Sequence, residues 1–323
     1  MMDEAALESP GGTASGLEPS ASQASSAAAE GSEVEPTRTG SDMLPRWLPR
    51  RRTDIYAAWV VAAIALLAYL NSLWNGFVFD DVGIIKENLA IRNLRNLRAI
   101  FAAPYWPDPT ADLAYRPLVI FSYALNYAMA AGRTAFNYHL VNVLLHAGNS
   151  ALVYSLLVAL FSARGLALVA AAAFALHPIH TEAVASVVGR AELLSNAFLL
   201  LSWRWYLQWD EAPPRGRIRW LAASIVAFAL AIFSKEHVVV LLPLLALTDL
   251  LRASERGLPL GRAIWDKCRT AYAWYLMPIG GYTLARLLVL GRLLSHNVSM
   301  VANPLAHTDF PTRSLTAVKV LGK

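Results

Sequence analysis

Cysteine and charge are what this chain of 323 residues has least of. The single cysteine, Cys268, excludes an internal disulfide and a thiolate metal cluster. Only 16% of the residues are charged, well below the about 25% of soluble globular domains. With 56% hydrophobic residues and a mean hydropathy of +0.40, that scarcity excludes an ordinary soluble domain. The formal net charge of +5 does not mark a nucleic-acid binder, because most arginines sit in short loops between apolar runs, a pattern that reads as membrane topology. No internal repeat is visible in the span given.

What is present is a set of apolar runs. A spanning helix needs roughly 20 mostly apolar residues. Candidate spans lie at 55–74, 138–161, 165–177, 191–209, 218–233, 237–251 and 271–290. The fold expected is therefore an all-α polytopic membrane protein with a large first outer loop, 75–137. The short runs 165–177 and 218–233 end in polar motifs, as helices do that stop or bend at a cavity inside the protein. Residues 1–45 are rich in Ser, Ala, Gly, Pro and Glu and have little to bury, so they read as a disordered tail. The tail is acidic and has no apolar h-region, unlike a signal peptide. The basic cluster 46-RWLPRRR-52 places the N-terminus in the cytoplasm, and counting spans puts the Arg- and Lys-rich loops 210–219 and 252–269 on that same side.

The opposite face collects the unusual polar residues. It receives Asp80-Asp81 in 77-FVFDDVG-83, Arg116 in 115-YRPL-118, the stretch 177-HPIHTEAVASVVGRAE-192, and 234-SKEH-237. Ionisable residues at membrane depth are rare and usually functional. Asp80 and Asp81 read as a general base, as a cation ligand pair, or as loop carboxylates capping a helix. Arg116 can fork two donors onto a lipid phosphate or merely snorkel to headgroups. It opens an amphipathic segment, 115–130, suited to the interface plane with its tyrosines at headgroup level.

If Thr181 caps a helix, Glu182, Ser186 and Arg190 fall at i, i+4 and i+8 and form one polar stripe. His177, His180 and Glu182 also read as metal ligands, but their spacing matches no zinc signature, and a hydrogen-bonded structural cluster is the plainer reading. Glu192, Lys235 and Glu236 complete the candidate set for substrate binding, with Arg133, Asn137 and His139 as weaker members at the foot of the second span. Pro243 and Pro278 read as helix kinks, Gly280-Gly281 as a site of close helix packing, and 297-NVS-299 as a sequon.

The ordered motifs FVFDD, YRPL, FNYHLVNVLLH, HPIHTEAVASVVGRAELL, SKE and NPLAHTDFPTRSLTA resemble the transmembrane O-mannosyltransferases that carry C-terminal tetratricopeptide repeats, and their bacterial relatives. The resemblance runs from about residue 55 to the end. It implies a GT-C-like transmembrane domain over 46–323, using polyprenyl- or dolichyl-phosphate mannose as donor and a polypeptide as acceptor, with no cofactor and no nucleic acid. It also implies Asp80 as catalytic base with Asp81 beside it, and no essential metal; by their location on the same face, Arg116, His177, His180, Glu182, Arg190, Glu192, Lys235 and Glu236 are candidate substrate contacts. The membrane expected is a bacterial inner membrane or the endoplasmic reticulum. The chain stops at 315-LTAVKVLGK-323, which looks like the start of another span, so tetratricopeptide repeats are expected downstream. A transporter or lipid flippase, or a non-catalytic scaffold, would also place polar groups on broken helices.

Overall fold

The structure is a computed structural model that describes residues 52–106, 114–129, 134–291, 305 and 308–321. The tail 1–45, most of the cluster 46–52, Arg133 and the sequon lie outside the described residues. Among the described residues there are helices and no strands. Twelve α-helices are described: α1 (Arg52–Tyr69), α2 (Leu97–Phe101), α3 (Pro117–Met129), α4 (Ala135–Phe161), α5 (Arg164–Leu176), α6 (Thr181–Ala185), α7 (Arg190–Glu211), α8 (Pro214–Ile232), α9 (Leu241–Glu255), α10 (Leu260–Lys267), α11 (Ala273–Leu290) and α12 (Phe310–Leu321).

Four helical stretches are long and apolar enough to cross a membrane: Arg52–Trp74, Ala135–Phe161, Glu236–Glu255 and Leu260–Leu290. The pair Arg164–Leu176 and Pro178–Ala185, bent by 45°, passes the same test only when taken together, as a broken span or a re-entrant loop. The chain is thus an all-α polytopic membrane protein, as its composition requires. Helices α7 and α8 fall short of that apolar standard, for a physical reason. Helix α7 carries Arg190, Glu192, Arg204, Asp210 and Glu211 and lies between α4, α8 and α9, so its polar groups meet protein. Helix α8 is interrupted at Arg215–Gly216, where Gly216 takes φ +96, and its unbroken part starts later than its first residue.

Of the four apolar clusters among the described residues, the three larger join the elements as follows. Helices α1, α4 and α5 pack through Val61, Ala65, Ala147, Tyr154 and Ala171. Helices α7, α8, α9 and α11 share a larger core containing Tyr206, Phe228, Leu241 and Tyr275. The segment between α1 and α4 folds on a further cluster, where Ile84, Ile91 and Ile100 meet α3 at Val119 and Tyr123. Helix α3 has 13 residues, too few to cross. The expected headgroup tyrosines point inward: Tyr115 and Tyr123 are buried.

The end of the bundle remote from Asp80 is held by ion pairs. Arg164 Nε donates to Asp54 Oδ1 at 2.7 Å, joining the starts of α5 and α1. Arg252 reaches Asp210 at 3.2 Å and Glu211 at 3.1 Å, and Lys267 also pairs with Asp210. The stretch 252–269, expected as a loop, is largely helical: α9 ends at Glu255, Gly257 turns at φ +63, and α10 leads through Cys268–Tyr272 into α11. Pro243 sits in the first turn of α9, just after the 3₁₀ turn Glu236–Val240 gives way to α-helix within one apolar stretch. Pro278 does lie inside α11. A Cβ on Gly280 or Gly281 would meet open space, so these glycines mark no close packing among the described residues.

Candidate functional site

Asp80 and Asp81 are separated by the turn that precedes them. Phe79 adopts φ 43, a left-handed conformation that is strained for an aromatic residue, and its ring is 94% exposed. Asp81 N donates to Val78 O at 2.9 Å, closing the turn. The Asp81 side chain then points inward and is fully buried. Its Oδ1 accepts from Val188 N at 3.0 Å and its Oδ2 from Val78 N at 3.2 Å. Asp81 is therefore a clip between the segment that follows α1 and the turn before α7, with both oxygens engaged. Asp80 remains exposed and lines a cavity of about 450 Å³.

The expected stripe Glu182, Ser186, Arg190 does not form on one helix. Helix α6 ends at Ala185, Ser186 is extended, and α7 begins only at Arg190. The reason lies at Gly189: a Cβ there would stand 2.2 Å from Ala183 O, so the chain doubles back on α6 so closely that only glycine fits. His180, not Thr181, precedes α6, and the His177 ring caps the short turn before it, its Nδ1 accepting from Ile179 N at 3.2 Å. Glu182, Ser186 and His180 line the cavity, whereas His177 does not.

Arg190 is redirected altogether. It is 0% exposed. Its Nε donates to Asn142 Oδ1 at 2.9 Å, and its Nη2 to Asn126 Oδ1 at 2.9 Å and to Tyr138 O at 2.8 Å. The guanidinium lies over the Tyr123 and Tyr138 rings, at 4.7 and 5.6 Å from their centroids. A side chain with this many interior partners holds α3, α4 and α7 together and does not reach the cavity. The expected phosphate contact therefore does not stand among the walls of the cavity.

The basic groups of the cavity are Arg116 and Lys235. Arg116 stands at the entry to α3, its guanidinium 5.0 Å from the Tyr105 ring centroid and its Nε 3.7 Å from Glu236 Oε2. Lys235 follows the end of α8 and is ion-paired with Glu192 at the start of α7. Glu236 does not line the cavity but sits between Arg116 and Arg286, 3.7 Å from Arg286 Nη1. The His237 Nδ1 lies 3.9 Å from Glu192 Oε2. The walls thus carry three acids, Asp80, Glu182 and Glu192, against two cations, with His180 beside them. Among the described residues no group of three or more His, Cys, Asp or Glu is placed to hold a metal ion.

Tyr105, Trp106 and Asn196 also line the cavity and carry no sequence signal of their own. Burial pushes the Tyr105 phenol up to about 12 against the pull of Arg116, so it is a neutral hydroxyl in the physiological range. The support beneath the cavity was, by contrast, legible. In 136-FNYHLVNVLLHAGNS-150, His139, Asn142, His146 and Asn149 recur at intervals of three, four and three, and none is more than 2% exposed. They form a polar stripe on the buried face of α4. Asn142 donates to Ser186 O at 2.8 Å, Asn149 to Leu193 O at 2.9 Å, and His146 Nε2 lies 3.1 Å from Ala175 O. The Ala175 and Ser186 carbonyls are ones that the breaks after α5 and α6 leave open, whereas Leu193 O lies within the first turns of α7.

Relatives with names match this chain in part. It is 36% identical over 276 residues to the protein O-mannosyl-transferase Tmtc1 of Drosophila melanogaster, covering 79% of this chain and 31% of that protein. It is 38% identical over 200 residues to the protein O-mannosyl-transferase Tmtc2 of the same organism, covering 59% and 21%. The human protein O-mannosyl-transferase TMTC3 is 30% identical over 207 residues, covering 62% and 22%. The chain spans between about a fifth and a third of the length of these relatives. No family model matches the chain, and no solved structure does.

Proposed function

We propose that this chain is the membrane portion of a GT-C-like O-mannosyltransferase, one that moves mannose from a polyprenyl- or dolichyl-phosphate to a Ser or Thr hydroxyl of a polypeptide. The observation that carries the reading is the cavity in which an exposed carboxylate, Asp80, shares walls with Arg116 and Lys235. The similarity to proteins named protein O-mannosyl-transferases supports the sugar and the acceptor class. The site faces the outer or luminal side, with the N-terminus cytoplasmic.

In this reaction Asp80 accepts the proton of the acceptor hydroxyl, and the resulting oxygen attacks the anomeric carbon from the face opposite the phosphate. The bond between that carbon and the phosphate oxygen breaks, and its electron pair leaves with the lipid phosphate, so configuration inverts. Arg116 and Lys235 stabilise the charge that develops on the departing phosphate. Glu182, His180 and Asn196 are placed to hydrogen-bond sugar hydroxyls. The chemistry needs no cofactor, since each role falls to a side chain.

The test uses membranes containing the protein, radiolabelled lipid-phosphate mannose and an acceptor polypeptide. Asp80→Asn is expected to lower transfer by 10²-fold or more, in the range of about 10²–10⁴ that a general base contributes, with unchanged thermal unfolding. Equal transfer by the variant would remove Asp80 from the mechanism.

A further inference from the structure

A second cavity, of about 460 Å³, runs along α1 and α4 in the half of the bundle remote from Asp80. Its floor is made of small residues, Ala58 and Ala62 of α1 against Ala147, Gly148 and Ala151 of α4. A Cβ on Gly148 would enter open space, so no described protein atom closes over the groove at that point. Trp59 and Leu144 stand at its rim, 71% and 51% exposed, on two helices long and apolar enough to cross a membrane. The groove therefore faces hydrocarbon. An empty groove of this size would leave its walls without dispersion partners.

One end of the groove differs chemically from the rest. Arg204 of α7 lies there, its Nε donating to Ser155 Oγ at 3.1 Å. An ionisable residue at membrane depth is a candidate site in itself. Arg204 has protein partners, and a phosphate would join them, because a guanidinium forks two donors onto one phosphate. Asp54, the acid on the same wall, is held by Arg164 and so opposes an incoming anion less. From Ser155 to Leu144 is eleven helical residues, about 16 Å at 1.5 Å per residue. That is about half of the roughly 30 Å hydrocarbon core, the reach of one acyl chain in one leaflet. A long isoprenoid chain would overrun it.

We propose that this groove binds one anionic phospholipid from the leaflet remote from the Asp80 cavity, its phosphate at Arg204 and one acyl chain along Ala58, Ala62 and Gly148. The inference does not depend on the transferase reading, since no residue is shared between the two cavities.

Native mass spectrometry of the chain, extracted in mild detergent from bilayers holding equal phosphatidylglycerol and phosphatidylcholine, tests it. The wild type is expected to retain one phospholipid per chain, with phosphatidylglycerol favoured at least tenfold. Arg204→Gln is expected to lose that preference and Arg204→Lys to keep most of it. Gly148→Leu, which fills the open space, is expected to lose the retained lipid. Unchanged thermal unfolding qualifies each variant, and either Arg204→Gln or Gly148→Leu alone suffices. No retained lipid, an unchanged lipid ratio in Arg204→Gln, retention by Gly148→Leu, a retained isoprenoid phosphate in place of phospholipid, or a second copy of the chain in its place would each overturn the proposal.

Discussion

Two adjacent aspartates with identical chemistry end in opposite environments, and the cause is the backbone between Val78 and Asp81. Asp81 accepts two backbone N–H groups in the interior, while Asp80 faces the cavity. Their substitutions should separate cleanly. Asp81→Asn keeps one acceptor oxygen and turns an amide NH₂ toward a second backbone donor, leaving a buried N–H unpaired. That should destabilise the protein by about 1–3 kcal/mol, read as a lower melting temperature in detergent. Asp80→Asn should leave the melting temperature alone and act on transfer. Arg190 is the residue whose role sequence most misplaced. An arginine in a polar stretch near a membrane surface looks like a ligand contact, and only the structure shows its four oxygen acceptors on α3 and α4.

The decisive element is the reversal between α6 and α7. Its geometry follows from Gly189, which lets the chain approach Ala183 O at a distance no side chain allows. Gly189→Ala should push α6 away from α7, costing about 3 kcal/mol, the upper part of the overpacking range. It should also lower transfer, because Glu182, Ser186 and Glu192 come from the two arms of this reversal. A melting curve and a transfer assay on one preparation check both effects, and a wild-type melting temperature would show that the turn can relax. The polar stripe of α4 belongs to the same element scale. Its three-four-three spacing was readable in the sequence, whereas its partners were not, because they are backbone carbonyls of segments 29 to 45 residues away.

For the whole molecule, sidedness rests on how many helices cross. Between Gly83 and Gly261 lie α4, the bent pair α5 and α6, α7, α8 and α9. Helices α7 and α8 enter as a pair, so their limited apolarity leaves the parity unchanged. The bent pair does matter: if it crosses, five crossings separate the two glycines, and if it re-enters, four do. With Cys268 replaced by Ser, single cysteines at Gly83 and Gly261, where a Cβ meets open space, should be labelled from opposite sides of sealed vesicles. Labelling from the same side would make the bent pair re-entrant and would undo the one-face convergence of the polar motifs.

Composition and apolar periodicity by themselves determined that this is an all-α membrane protein and where its main helices run. Those properties follow from burying backbone hydrogen bonds and apolar side chains in hydrocarbon, and each is written locally. Only the tertiary structure decided which of the polar residues share a cavity: Asp80, Arg116, His180, Glu182, Glu192 and Lys235 do, whereas Asp81, His177, Arg190 and Glu236 do not. The direction of a side chain at a turn depends on partners distant in sequence, such as Val188, 107 residues from Asp81, and no local pattern encodes that pairing.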